Sequence, residues 1–472
     1  MYPKLSVLLL NSGLYAELAC ILKDWQAEAI DKDFPSIFLL AGDAARDQGQ
    51  PQEAFASYEA ARNWAEKVQD LPLLATAYDR IGYQNTGLGE WRQALIYFEK
   101  SKNIRSELVT KRPHNPYYKS DLGIACLNVG DVYDSLGQLE DALQQYEQSL
   151  EIYEQLKVGP QDHLDFKKGL SLSWSRIGTI QVSLGQLDKG RMFFERDQQL
   201  SRELAAAYPD DLDLTVNLAL CYDKLGEVYE KQGQQERALS HYQSEMKLFE
   251  ALKEANPQRI DLRQGLAGAY EKLGDGHAQL NQWDQALSFY EQGVELRKAL
   301  FKAQPLQVAF SGDLATAYEK LGDAHTQLKQ ADLALHYYMQ EAELYEALHK
   351  SHPEYVHYKH GIAVAYARLG DTLEKQGQIN KALAFWEHDA KLSQELFDTF
   401  PNNVHYKNGL ASSYSALGDY YYRHKNDLKQ ARNYLVKATR LWKALVEEAP
   451  GHEDYELNLS DAMAFLKVLE RE

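Results

Sequence analysis

Cysteine is scarce in this chain of 472 residues: Cys20, Cys126 and Cys221 are all it has, and no two of them form a CxxC pair. An odd count without close spacing argues against both a disulfide framework and a cysteine zinc site, and it fits a reducing, cytoplasmic setting. Positive charge is short as well. Lys+Arg number 51 against 69 Asp+Glu, a net charge of −18. The chain therefore lacks the cationic excess that grips phosphate backbones or anionic lipid, which speaks against direct nucleic-acid and membrane binding. Long apolar runs are missing too, and nothing approaches the roughly 18 consecutive residues of a membrane span. The longest candidate, Leu5 to Leu10, is broken by Asn11, Ser12 and Gly13, has Lys4 as its only preceding basic residue, and is followed by Glu17 close to Cys20. That pattern predicts an amphipathic helix rather than a secretion or lipoprotein signal. Proline, glycine and serine never gather into a linker, and no low-complexity segment occurs. With 44% hydrophobic and 11% aromatic residues, the chain still has ample material for a folded core.

What is present is a repeat. A glycine preceded by Leu, Ile or Val recurs every 48 residues, at Gly82, Gly130, Gly178, Gly226, Gly274, Gly322, Gly370 and Gly418. Around it run companion columns. Tyr222, Leu225, Tyr229, Ala238, Tyr242 and Pro257 surround Gly226, while Tyr270, Leu273, Ala286, Tyr290 and Pro305 surround Gly274. This pattern resembles the tetratricopeptide repeat, in a long-unit form of prokaryotic type whose period exceeds the usual ~34 residues. The surplus divides into about seven residues per helix, close to two turns, so the apolar stripe stays in phase. Leu122, Leu170, Leu218, Leu266, Leu314, Ile362 and Leu410 carry that stripe along the first helix. The resemblance implies an all-α fold, a right-handed α-solenoid of stacked helical hairpins, since no hairpin buries its faces alone. Residues 1–35 are expected to form a helical N-terminal cap. Residues 36–452 form the array, with one short unit marked by Gly42, Ala54 and Tyr58 before the eight long ones, and residues 453–472 form a capping helix carrying Tyr455, Leu459, Met463 and Leu466.

In a stacked array, a column in sequence becomes a stripe on the surface. Directly after the glycine stand Asp43, Asp131, Glu227, Asp275, Asp323, Asp371 and Asp419; three residues before it stand Asp79, Asp223, Glu271 and Glu319. By resemblance to the family, both columns face the concave groove in which such proteins hold peptides or partner helices. Asp223, Glu227, Glu271, Asp275, Glu319, Asp323 and Asp371 are thus the expected partner-binding residues, and the expected partner is a protein with a basic segment. Members that grip a carboxylate tail use Lys and Asn in these columns, so an acidic tail is disfavoured. The competing expectation is that the acids pair with Arg80, Arg176, Lys224, Lys272, Lys320 and Arg368, which lie two residues before the glycines, within a helix or across adjacent repeats.

Catalysis finds little support. His349, His352, His357 and His360 cluster around Pro353 near Glu354, but the spacing follows no zinc motif and other repeats carry no counterpart. His277 and His325 occupy the slot of Tyr133 and Tyr229, and Cys126 and Cys221 fall at packed positions. No catalytic residue, metal or cofactor is expected. The resemblance implies a non-enzymatic interaction scaffold or adaptor, the regulatory or assembly subunit of a signalling or effector complex. Its caspase-like protease, kinase or ATPase would be a separate chain. The alternative is a peptide or small-ligand sensor whose superhelix changes shape on binding.

Overall fold

The computed structural model describes residues 36–157, 163–305 and 307–469. The expected cap over residues 1–35, and Cys20 with it, lies outside the described residues. Those described form nineteen helices and no strand. They fall into two compact units, Met1–Gly233 and Gln234–Glu472.

In the first unit the helices are α1 (Ser36–Asp47), α2 (Pro51–Val68), α3 (Leu71–Gly87), α4 (Trp91–Lys111), α5 (Pro116–Ser135), α6 (Leu139–Lys157), α7 (Leu164–Ser183), α8 (Leu187–Ala207) and α9 (Leu212–Lys231). The second contains α10 (Gln235–Ala255), α11 (Ile260–Gln279), α12 (Trp283–Ala303), α13 (Val308–Gln327), α14 (Ala331–Ser351), α15 (Val356–Lys375), α16 (Ile379–Thr399), α17 (Val404–Lys425), α18 (Leu428–Glu448) and α19 (Glu453–Leu469). Within each unit every helix packs on the next in sequence, as a stack of hairpins must.

Local chemistry fixes the helix ends. Asn115 accepts hydrogen bonds from the backbone N–H groups of Tyr117 and Tyr118 with Pro116 at the first helical position, and Asn403 caps α17 through His405 and Tyr406. Between the helices of a hairpin the chain turns through one left-handed residue. Gly137 and Gly377 fill that place with φ of 73° and 75°, whereas Lys329 is forced to 59°. A lysine there carries the Cβ clash that glycine avoids. Lys329→Gly is therefore expected to raise stability by about 0.5–1 kcal/mol, read as a higher denaturation midpoint, while Gly377→Lys should lower it by a similar amount.

The register glycines are points of helix contact. On most of them a ring from the second helix sits where a Cβ would project: Tyr58 on Gly42, Phe98 on Gly82, Tyr146 on Gly130 and Phe194 on Gly178 in the first unit. In the second unit Tyr290 covers Gly274, Tyr338 covers Gly322, Trp386 covers Gly370 and Leu435 covers Gly418. Gly226 is buried within α9. The alanine column of the second helices, Ala142 and Ala286 among them, is fully buried and lets the helices approach. α19 lays Tyr455, Ala462 and Leu469 against the end of the stack.

Candidate functional site

At Asp43, Asp131, Asp275 and Asp323 the acid after the glycine is held twice. In the first unit Tyr58 donates its hydroxyl to Asp43 at 2.8 Å, and Arg80 of the following hairpin reaches the same carboxylate at 3.1 Å. Two copies on, the device is repeated: Tyr146 donates to Asp131 at 2.7 Å, and Arg176 closes on it at 2.9 Å. Where the acid is replaced by Tyr83, the cation is replaced as well, and the Tyr83 hydroxyl donates to Asn128 at 2.8 Å. The third column is therefore matched to the first across the joint between hairpins. Of the predicted residues in this unit, Asp223 is buried and Glu227 is bonded by Lys224 of its own helix at 3.0 Å.

The second unit carries the same triad. Tyr290 donates to Asp275 at 2.7 Å, and Lys320, forty-five residues on, reaches Asp275 at 2.6 Å and Glu271 at 3.4 Å while lying over the Tyr290 ring. Arg297 also pairs with Glu271. In the following copy Tyr338 donates to Asp323 at 2.7 Å; Arg368 reaches Glu319 at 2.6 Å and Asp323 at 3.2 Å and stacks over Tyr338. Burial and the adjacent Asp275 push the Tyr290 phenol far up, so it stays a donor. Burial pulls the Lys320 ammonium down, but Asp275 and Glu271 outweigh it and its pKa is raised. Asp371 accepts from Trp386 Nε1 at 2.9 Å. The acidic columns are thus a ladder of hydrogen bonds and ion pairs between repeats, with the carboxylates of Asp275 and Asp323 left 36% and 42% exposed.

A second set of acids escapes sequence reading. Three residues after the register aromatic, on the second helix, lie Asp197, Glu245, Glu341 and Asp389, each buried. Asp197 accepts from Ser171 and Ser201, and burial raises its pKa. Burial pushes Glu341 up to about 8 against the opposing pull of Arg368, and Asp389 up to about 7 against hydrogen bonds from Ser413 and Ser393. Their column also holds Ser101, Ser149 and Gly293, so no single residue type marks it. The available signal is that an acid stands on the apolar stripe of a helix.

The histidines and thiols take packed places. His277 stacks on Phe289 and His325 on Tyr337, the latter with ring centroids 5.3 Å apart. His352 pairs with Glu354, and His360 packs on Tyr406. Among the described residues no group of His, Cys, Asp and Glu is arranged to hold a metal ion. Burial pushes the Cys126 thiol up to about 11 and the Cys221 thiol higher still, the reverse of what a nucleophile requires. No helix of the described residues is long and apolar enough to cross a membrane.

Three profiles of the tetratricopeptide repeat match residues 33–107, 124–163 and 266–303. No curated protein matches the chain. Among solved structures, the chain is similar to a signal transduction ATPase with a tetratricopeptide repeat sensor from Pyrococcus horikoshii, at 13% identity and a TM-score of 0.52, over 89% of this chain and 55% of that one. It spans about half the length of that protein. It also matches the apo quorum sensor NprR from B. thuringiensis, at 14% identity and a TM-score of 0.49, over 82% of this chain and 97% of that one. Apo RapI matches at 14% identity and 0.49, over 79% and 99%. At such identities the likeness concerns the fold alone. The glycine and aromatic register, the stacked hairpins and the three profile matches agree: the chain belongs to the tetratricopeptide repeat family, as an all-α repeat solenoid.

Proposed function

We propose that this protein is a non-enzymatic scaffold or adaptor that holds a protein partner carrying a basic segment, as the regulatory or assembly subunit of a multi-protein complex whose effector is a separate chain. The observation that carries this reading is the ladder itself. Hydrogen bonds from Tyr290 and Tyr338 fix Asp275 and Asp323 in position while leaving much of each carboxylate in solvent. A partner thus meets acids that lose little side-chain entropy on binding. Asp223, Glu227, Glu271, Glu319 and Asp371 belong to the same proposed contact set, in their own units.

The test starts from proteins that co-purify with the chain from its native cells, each then titrated against the purified chain at several salt concentrations. Because Asp275 and Asp323 also hold Lys320 and Arg368, the isosteric pair Asp275→Asn and Asp323→Asn is preferable to charge reversal. It keeps an acceptor for each tyrosine while removing the charge. Association is expected to slow by about three- to tenfold with a flatter salt dependence, since exposed charges act mainly by steering. Unchanged association together with a large fall in the denaturation midpoint would assign these acids to internal pairing alone.

A further inference from the structure

One acid of the ladder has no cation partner from either helix among the described residues. In the second unit, the position forty-five residues after the acid holds Lys320 for Asp275 and Arg368 for Asp323, but Ala416 for Asp371. At the end of the stack Asp419 meets Ala464 in that position, but Arg423 of its own helix pairs with it at 2.8 Å; at the other break Asn128 takes the place of the cation and meets Tyr83 instead of an acid, so that joint remains matched. Asp371 keeps its carboxylate and its bond from Trp386 Nε1, yet no Lys or Arg nitrogen lies within 4 Å of it among the described residues. It is exposed at a place where Asp275 and Asp323 are partly covered by their cations.

The same joint lacks a ring. Along the second helices one column alternates in step with a partner sixteen residues later. Tyr345 packs on Gly361 and Phe249 on Gly265, whereas Arg297 meets Asp313 at 3.5 Å. At the corresponding place in α16 and α17 both members are small, Ser393 and Gly409, and a Cβ on Gly409 would find only Ser393 Oγ, at 3.9 Å. The two vacancies coincide. Together they open a cavity of about 410 Å³ lined by Asp371, Trp386, Asp389, Ser393, Asn408 and Ala416 among others. Its floor is Asp389, which is 4% exposed and accepts from Ser393 at 3.0 Å.

We propose that this cavity is a binding site for a guanidinium group, which pairs with Asp371, stacks on Trp386 and extends its stem into the space above Asp389. The neighbouring joint supplies the template: Arg368 pairs with Asp323 while its guanidinium lies 5.9 Å over the centroid of Tyr338. A planar, weakly hydrated guanidinium suits an indole face better than an ammonium does. Other charges around the cavity agree. Arg368 directs its nitrogens at Glu319, Asp323 and Glu341, and burial together with His405 lowers the pKa of His360, which keeps that ring neutral. The volume lies in the range of sites for small ligands. A free guanidine and the arginine side chain of a partner share this chemistry. Only the second source rests on the scaffold reading.

The full-length chain is titrated calorimetrically with agmatine and with the blocked peptide Gly-Arg-Gly, using Gly-norleucine-Gly as the uncharged control. Saturable binding with a dissociation constant of about 0.1–1 mM is expected for at least one guanidinium probe and none for the control. Agmatine alone marks a free ligand, and the peptide alone marks a partner's arginine; either supports the site. Ala416→Arg, which supplies the missing cation from within, and Asp371→Asn should each weaken binding at least tenfold. Ala416→Arg should also raise the denaturation midpoint, which shows that it folds. The proposal is overturned if neither probe saturates, or if both variants bind as wild type does. A partner that binds the Asp275 and Asp323 ladder and is indifferent to Ala416→Arg, with neither probe saturating, would sink this site while leaving the scaffold reading intact.

Discussion

Replacing Gly274 with leucine is expected to lower the denaturation midpoint far more than replacing Gln279 with leucine in the same helix. A Cβ on Gly274 would overlap the ring of Tyr290, and that ring cannot swing away freely. It is 6% exposed, its hydroxyl is bonded to Asp275, and Lys320 lies over its face. Overpacking alone costs about 1–3 kcal/mol. Displacing Tyr290 also disturbs the ion pair between neighbouring hairpins, which places the expected loss for leucine at or above about 3 kcal/mol. Gln279 is exposed near the end of α11, where a substitution stays within about 0.5 kcal/mol. Gly268 gives a sharper control because a Cβ there meets nothing within 4 Å. Gly268→Ala should gain up to about 1 kcal/mol from helix propensity, while Gly274→Ala should lose stability despite the same gain. Chemical denaturation of the four variants decides it, and similar midpoints for the two leucine variants would mean that the glycine column is not the packed face.

The reason this column was legible is that glycine, alanine and the aromatic recur at fixed spacing, and each is demanded by the same close approach of two helices. The acidic columns were legible for the same reason, but their partners were harder to trace. Lys320 lies three residues before Asp323 in sequence, which suggests an intrahelical pair, yet it reaches back to Asp275 in the previous hairpin. Sequence spacing within one helix cannot show which neighbour a long side chain chooses. Glu341 and Asp389 went unread because their column accepts Ser, Gly, Asp or Glu, so no repeat of residue type drew attention to it. The cavity at Ser393 and Gly409 was hidden because its cause is two small residues sixteen apart whose significance appears only beside Tyr345 and Gly361.

Removal of the Arg368 guanidinium should be the costliest single change in the ladder, and its cost should depend on pH. Arg368 serves three carboxylates, Glu319 at 2.6 Å, Asp323 at 3.2 Å and Glu341 at 3.7 Å. Glu341 is 1% exposed, and its Oε2 has no hydrogen-bond partner among the described residues. Arg368→Met keeps much of the apolar stem but strands this group, and stripping one partner from a buried charge cluster costs about 3–5 kcal/mol. Burial raises Glu341 to about 8 even with the cation present. A carboxyl raised above its unfolded value binds more protons in the native state, so its contribution to stability falls as pH climbs from about 4.5 towards 8. Without Arg368 the folded pKa rises further. Glu341 is protonated in both proteins well below pH 8, so the deficit of the variant relative to wild type should stay nearly constant up to about pH 7 and grow above about pH 8, where only the wild type begins to ionise this group. Arg368→Lys, which keeps charge but loses the fork, should fall between the two. Denaturation midpoints at about pH 6.5 and about pH 9.5 for wild type and both variants provide the check. A deficit no larger at about pH 9.5 than at about pH 6.5 would show that Glu341 does not depend on Arg368 and that the rung is held by packing of the stem against Tyr338.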